Sequence, residues 1–211
     1  MKLTVFGPTG GTGEQILRQA LAAGHHVTAI ARRPETVAIA HPNLSVIQAN
    51  VLDRAWRGAG IDATDAVVSA LGTQAMRQPA TVYSQGTAAI IAAMARNDVT
   101  RFVGISAIPL TPNAEKSLLE RHAIHPLLQR FFGGGYDDMR RMERLLADSQ
   151  VTWTIFRPAR LTDGPKIGRY RTACDRRLPR AWSISRADLA SAMLAAVNDT
   201  ALYRCAVAIA K

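Results

Sequence analysis

Cysteine is scarce in this 211-residue chain, which holds only Cys174 and Cys205. Two cysteines so placed are too few and too scattered for a disulfide framework or a metal site, and they suit a reduced cytoplasmic setting. No apolar run reaches the roughly eighteen residues of a membrane span, and the N-terminus enters a strand pattern directly, without a signal-peptide profile. His122 and His125 lack an accompanying carboxylate motif and read as surface histidines, so no metal is expected. Acidic residues are also few, 16 against 26 basic ones, for a formal charge of +10. Aromatic content is 6%, and Tyr170 and Trp182 are not interleaved with the basic residues as a base-stacking platform requires. A small anionic ligand is therefore the favoured partner over nucleic acid, with a merely solvated basic surface as the alternative. The 48% hydrophobic content can fill one sizeable core, and a single domain over 1–211 is expected.

What the chain does have begins at Gly7-Pro8-Thr9-Gly10-Gly11-Thr12-Gly13. This run follows the strand-like Leu3-Thr4-Val5-Phe6 and opens a helical pattern from Glu14 to Ala23. A strand turning sharply into a helix aims free N–H groups and a positive dipole end at its ligand, which favours phosphate. Gly7 can make the turn, Gly10 lets a pyrophosphate approach the backbone, and Gly13 lets helix and strand pack closely. No Lys-Ser/Thr follows, which argues against a P-loop nucleotidase. Gly24 stops the helix, and His26 to Ala31 reads as a second strand. At its end, where an NAD site places an acid for the ribose 2′-hydroxyl, stand Arg32 and Arg33. Guanidinium groups grip a 2′-phosphate, so the expected cofactor is NADP(H), although Glu35 lies nearby.

The alternation continues. Strands are expected at Asn43 to Ala49, Asp65 to Ala70, Thr100 to Ile105, Val151 to Phe156 and Cys205 to Ile209. Asp53 to Arg57 reads as a short helical turn, and helices are expected at Ala80 to Asn97 and Tyr136 to Asp148. Ser185-Arg186-Ala187-Asp188 is a capping box starting a helix to Val197. This order implies an α/β doubly wound sheet, mostly parallel, with helices on both faces and ligands at the carboxyl ends of its strands. Pro109 to Gly135 breaks the rhythm and reads as a lid or substrate segment, with Gly133-Gly134-Gly135 as its hinge. Basic residues concentrate between Arg157 and Arg186.

These landmarks resemble the atypical branch of the short-chain dehydrogenase/reductase superfamily, and within it the flavin reductase/biliverdin reductase-type proteins. The likeness spans nearly the whole chain. It rests on Val5 to Gly13, Ala31-Arg32-Arg33, Asn50-Val51-Leu52-Asp53, Ala70-Leu71-Gly72-Thr73, Ile105-Ser106-Ala107, Phe156-Arg157-Pro158 and Ser185 to Leu189. The resemblance implies that Gly7, Thr9, Gly10, Gly11, Thr12 and Gly13 cradle the pyrophosphate. Arg32 and Arg33 would hold the 2′-phosphate, Asp53 with Val51 or Leu52 would flank the adenine, and Ala70, Leu71, Gly72 and Pro158 would line the cofactor. Ser106 falls where the superfamily keeps its catalytic serine, beside the nicotinamide. The usual Tyr-x-x-x-Lys pair is missing; Tyr136-Asp137-Asp138-Met139-Arg140 is its nearest match, making Tyr136 and Arg140 candidate catalytic residues. Arg157 and Arg160 are the candidate substrate contacts. The expectation is a cytoplasmic NADPH-dependent reductase, a monomer or else a dimer, acting on a planar acceptor such as a flavin, quinone or tetrapyrrole. An NmrA-like redox sensor that binds NADP(H) without turnover is the main alternative, and a nucleotide-sugar or isomerase-type enzyme a weaker one.

Overall fold

A computed structural model describes residues 1–73, 78, 80–110 and 125–211. The strands are β1 (Lys2–Phe6), β2 (His26–Ala31), β3 (Leu44–Gln48), β4 (Ala66–Ser69), β5 (Arg101–Ile105), β6 (Thr152–Pro158), β7 (Arg160–Thr162), β8 (Arg171–Cys174), β9 (Ser183–Ser185) and β10 (Cys205–Ala210). The longer helices are α1 (Gly11–Ala22), α2 (Val82–Arg96), α3 (His125–Asp148) and α4 (Arg186–Ala195). One sheet takes eight strands in the order β3-β2-β1-β4-β5-β6-β10-β8, and β7 pairs with β9 separately. All pairings in the large sheet are parallel except that of β10 with β8. The strand order reverses between β1 and β4, and ligands of such sheets bind in the crevice at that switch.

Period-two alternation makes the two-sided core. Leu3 and Val5 of β1, with Ala66 and Val68 of β4, pack with Ile16 and Leu17 of α1 and Leu189 and Met193 of α4. On the opposite face Phe6, Val67, Phe102 and Ile155 meet Ile90 and Met94 of α2 and Met142 and Leu146 of α3. A strand covered on both faces needs apolar side chains at every position, which is why β4 and β10 read as continuous apolar runs. Arg101, only 6% exposed, is the exception in β5. Its guanidinium donates to the carbonyls of Ala196 and Val197 beyond α4, to the Thr152 carbonyl and to Thr154 Oγ1.

Three expectations are corrected, and two strands stand where none was expected. The three glycines at 133–135 lie inside the continuous helix α3 and form no hinge. Helix formation there is carried by packing on α2 and the sheet, which overrides the low propensity of glycine. The segment Asp53 to Arg57 is a hydrogen-bonded turn, closed by Trp56 N–H to the Asp53 carbonyl at 3.0 Å, and not a helical one. The 157–175 region carries β7 and β8, which its polar composition hides. Finally, Cys174 and Cys205 are joined in a disulfide with Cα atoms 5.8 Å apart. Antiparallel β8 lays Cys174 opposite Val207, two residues along β10 from Cys205, so cysteines distant in sequence meet across strands. Residues 111–124, the middle of the expected lid and the site of His122, fall outside the described residues.

Candidate cofactor site

The carboxyl ends of β1 and β4 form the crevice. Gly7 has φ +70°, and a Cβ there would strike the carbonyl of Ala70, so this turn requires glycine. Ala70 in turn donates its N–H to the Phe6 carbonyl at 2.9 Å. The glycine run and the Ala70-Leu71-Gly72 segment are thereby brought together. Gly13 lies against the Gly7 carbonyl and Pro8 Cα, which closes α1 onto the turn. Thr9, Gly10 and Gly11 are exposed, whereas Thr12 and Gly13 are buried.

Helix termini supply the clearest chemical signal. The Ser185 hydroxyl accepts from Asp188 N–H at the start of α4, as the capping box predicts. Asp188 Oδ1 also takes the N–H groups of Ile167 and Gly168, tying the 167–168 backbone to that helix. The start of α2 is capped from α3: Asp138, fully buried, accepts from the Tyr83 and Ser84 N–H groups and from the Ser84 hydroxyl. Helix α1 has Gly10 at its N-cap, and no side chain among the described residues caps it. Its first N–H groups are left for an outside acceptor, which suits a phosphate anion.

Around this cradle the remaining site residues fall as follows. Arg32 and Arg33 are exposed just beyond β2 and carry no ion pair among the described residues. Val51 is 7% exposed and Leu52 39%; Asp53 Oδ1 accepts from Ala55 N–H at 2.9 Å, which steadies that turn. Gly86 of α2 approaches Leu71 and Val51, linking the segments after β3 and β4. Ser106 follows β5 directly, donates its N–H to the Phe156 carbonyl at 2.7 Å, and is 3% exposed. Its hydroxyl is buried with no hydrogen-bond partner among the described residues. A buried orphan hydroxyl costs about 1–3 kcal/mol, which a ligand can relieve. Pro158 ends β6 close by in register.

Other candidates are differently employed. Arg157 makes two hydrogen bonds to Glu143 of α3, at 3.0 and 2.6 Å, so its charge is already matched. Arg160 is exposed on β7 and free of ion pairs among the described residues. Arg140 bonds to Asp137 at 2.6 Å on the outside of α3. Tyr136 is 8% exposed, and burial pushes its hydroxyl above the ordinary tyrosine range, so it stays protonated at neutral pH. Tyr83, which the sequence reading passed over, is 5% exposed. Its hydroxyl is also raised, first by burial, then opposed by the Thr73 backbone and reinforced by Asp138 and Tyr136. Nothing in the motif pattern marks Tyr83, Asp138 or Glu143; only the packing of α2, α3 and β6 assembles them.

Residues 7–200 match the model of a family described as NAD(P)H-binding. The chain belongs to that family. A chloroplastic protein of Arabidopsis thaliana, itself uncharacterised, is 28% identical over 175 residues, 79% of this chain and 61% of the relative. This chain thus spans about three fifths of that relative. Two solved structures share the NAD(P)H-binding fold. A short-chain dehydrogenase/reductase from Veillonella parvula in complex with NADP superposes with a TM-score of 0.77 at 19% identity, covering 100% of this chain and 94% of that one. A candidate NADH-flavin reductase from Streptococcus pneumoniae gives a TM-score of 0.80 at 20% identity, covering 100% and 99%. The resemblance is confirmed as far as membership of an NAD(P)H-binding family and a shared Rossmann-type fold. The glycine cradle, the uncapped α1 and the orphan Ser106 hydroxyl fit a bound nicotinamide dinucleotide.

Proposed function

We propose that the protein is an NADPH-dependent reductase acting on a planar, conjugated acceptor such as a flavin, quinone or tetrapyrrole. The observation that carries this reading is the buried Ser106 hydroxyl at the carboxyl end of β5, without a partner among the described residues. When bound, NADPH supplies the hydride, and the acceptor takes up a proton from water or a protein hydroxyl. Ser106 would orient the carboxamide or donate to an acceptor oxygen or nitrogen. Tyr136 and Tyr83, both held protonated, are hydrogen-bond donors and not bases. Because Glu143 neutralises Arg157, Arg160 is the remaining cation of that pair to steer an anionic acceptor. NADPH consumption should be followed at the cofactor's own near-ultraviolet absorbance with flavins, quinones and biliverdin. The Ser106→Ala protein should lose most of its turnover while its NADPH affinity stays within about threefold, below 0.7 kcal/mol. Tight NADPH binding with no acceptor consumed would instead support a cofactor sensor.

Preference for NADPH follows from Arg32 and Arg33 standing, without an ion pair among the described residues, where an acid would serve NADH. Calorimetry should give NADPH at least about a tenfold advantage over NADH, or 1.4 kcal/mol. The double change Arg32→Ala, Arg33→Ala should erase most of that gap. Equal affinities in the unmodified protein would rule out this assignment.

A further inference from the structure

We infer that Arg186 is a clamp for the cofactor pyrophosphate, held ready by an ion pair with Asp163 that the phosphates displace. The inference rests on dinucleotide binding by this family and not on turnover.

Gly11 opens α1, and a Cβ built there would stand 2.8 Å from Arg186 Cδ and 3.0 Å from its Nε. The three nearest atoms to that position all belong to Arg186. Gly11 has no positive φ, so the contact its missing side chain clears is this arginine. The arginine stem therefore lies over the backbone at the mouth of the uncapped helix, where phosphates of a dinucleotide sit.

Its charge is awkwardly placed. Arg186 is the first residue of α4 while also crossing the start of α1. Both helix ends carry positive partial charge, which disfavours a cation. The anion opposing it is Asp163, at 2.6 Å, with a side chain 88% exposed against 29% for Arg186. Such a pair is weak and easily exchanged. Asp163 makes no other side-chain hydrogen bond among the described residues, so turning it out to water breaks nothing else. A planar guanidinium can then take two phosphate oxygens in its fork, and the two helix ends gain the anion they lack. Asp163 acts in the unbound protein as a stand-in for phosphate.

Two cofactor fragments separate this role from that of Arg32 and Arg33. ADP-ribose has the pyrophosphate without a 2′-phosphate, and 2′-AMP has the reverse. By calorimetry, Arg186→Gln should weaken ADP-ribose about tenfold and leave 2′-AMP within about twofold, with Arg186→Lys between. The double Arg32, Arg33 variant should show the opposite pattern. Asp163→Asn, which removes the competitor, should tighten ADP-ribose about two- to threefold. Gly11→Ala pushes against only a flexible side chain, so it should fold normally and still weaken ADP-ribose. Asp163→Asn, which lies outside the glycine cradle, decides the matter if Arg186→Gln fails to fold. Unchanged ADP-ribose affinity in Arg186→Gln, equal loss of both fragments, or weaker binding in Asp163→Asn would each overturn the clamp. A protein that binds NADPH through Arg186 but reduces no acceptor would refute the reductase reading and leave the clamp intact.

Discussion

Replacing Arg101 by methionine is expected to cost about 3 kcal/mol and lower the thermal midpoint by about 6–12 °C. The substitution strips the donor from the carbonyls of Ala196, Val197 and Thr152, all reached by one guanidinium at 2.6–2.9 Å. Each buried acceptor left without a donor costs about 1–3 kcal/mol, and relief from burying a cation returns part of the sum. The Tyr203 ring, 4.6 Å from the guanidinium carbon, loses its cation as well. Burial lowers the Arg101 pKa to about 10, below its unfolded value. Between those two values the unfolded chain holds the extra proton, so this group's share of stability rises with pH there. At neutral pH both states are charged, so the stability gap between the two proteins should stay flat across neutral pH. Arg204 offers a contrast. It donates to the carbonyls of Ala147, Ser149 and Val151 near the end of α3, but at the surface. Arg204→Met should therefore cost only about 1 kcal/mol. A midpoint for Arg101→Met within about 2 °C of the unmodified protein would refute the staple role, the expected shift being several times larger.

These arginines also show where sequence reading stops. The formal charge of +10 invited an anionic partner, yet Arg101, Arg204 and Arg171 donate to backbone carbonyls, and Arg157 faces Glu143. Whether an arginine binds a ligand or closes a helix depends on what folds against it, and no local pattern records that. The strand–glycine–helix opening, the parallel order and the capping box were legible because each is a local signal: period-two apolarity, a glycine turn, a serine three before an aspartate. Strand β8 and the Cys174–Cys205 bridge depend on a long-range antiparallel pairing, so they were not. The glycines at 133–135 misled for the same reason, because tertiary packing keeps α3 helical through them. At the site, the tight turn at Gly7 and the close packing of α1 at Gly13 were readable as local signals. The Asp138 cap on α2 and the reach of Arg186 over Gly11 join elements far apart in the chain.

The glycines of the cradle should separate by what their missing side chains clear. A Cβ at Gly13 would collide with backbone, standing 2.8 Å from the Gly7 carbonyl carbon and 2.9 Å from Pro8 Cα. Neither atom can move without shifting β1 against α1. Gly13→Ala should therefore lose about 1–3 kcal/mol of stability through overpacking. It should also lose more than about tenfold in NADPH affinity, because the first N–H groups of α1 are displaced from the crevice. A Cβ at Gly10 meets only the Gly7 carbonyl oxygen, at an ordinary 3.6 Å, and its backbone is extended at φ −78°. Gly10→Ala should then keep its thermal midpoint while NADPH affinity falls about tenfold or more, since the added methyl stands where phosphate must approach the backbone. The two variants thus divide packing from binding. Thermal unfolding and calorimetry on the same samples read both. If Gly10→Ala binds NADPH as tightly as the unmodified protein, the pyrophosphate does not cross this loop and the cradle assignment fails.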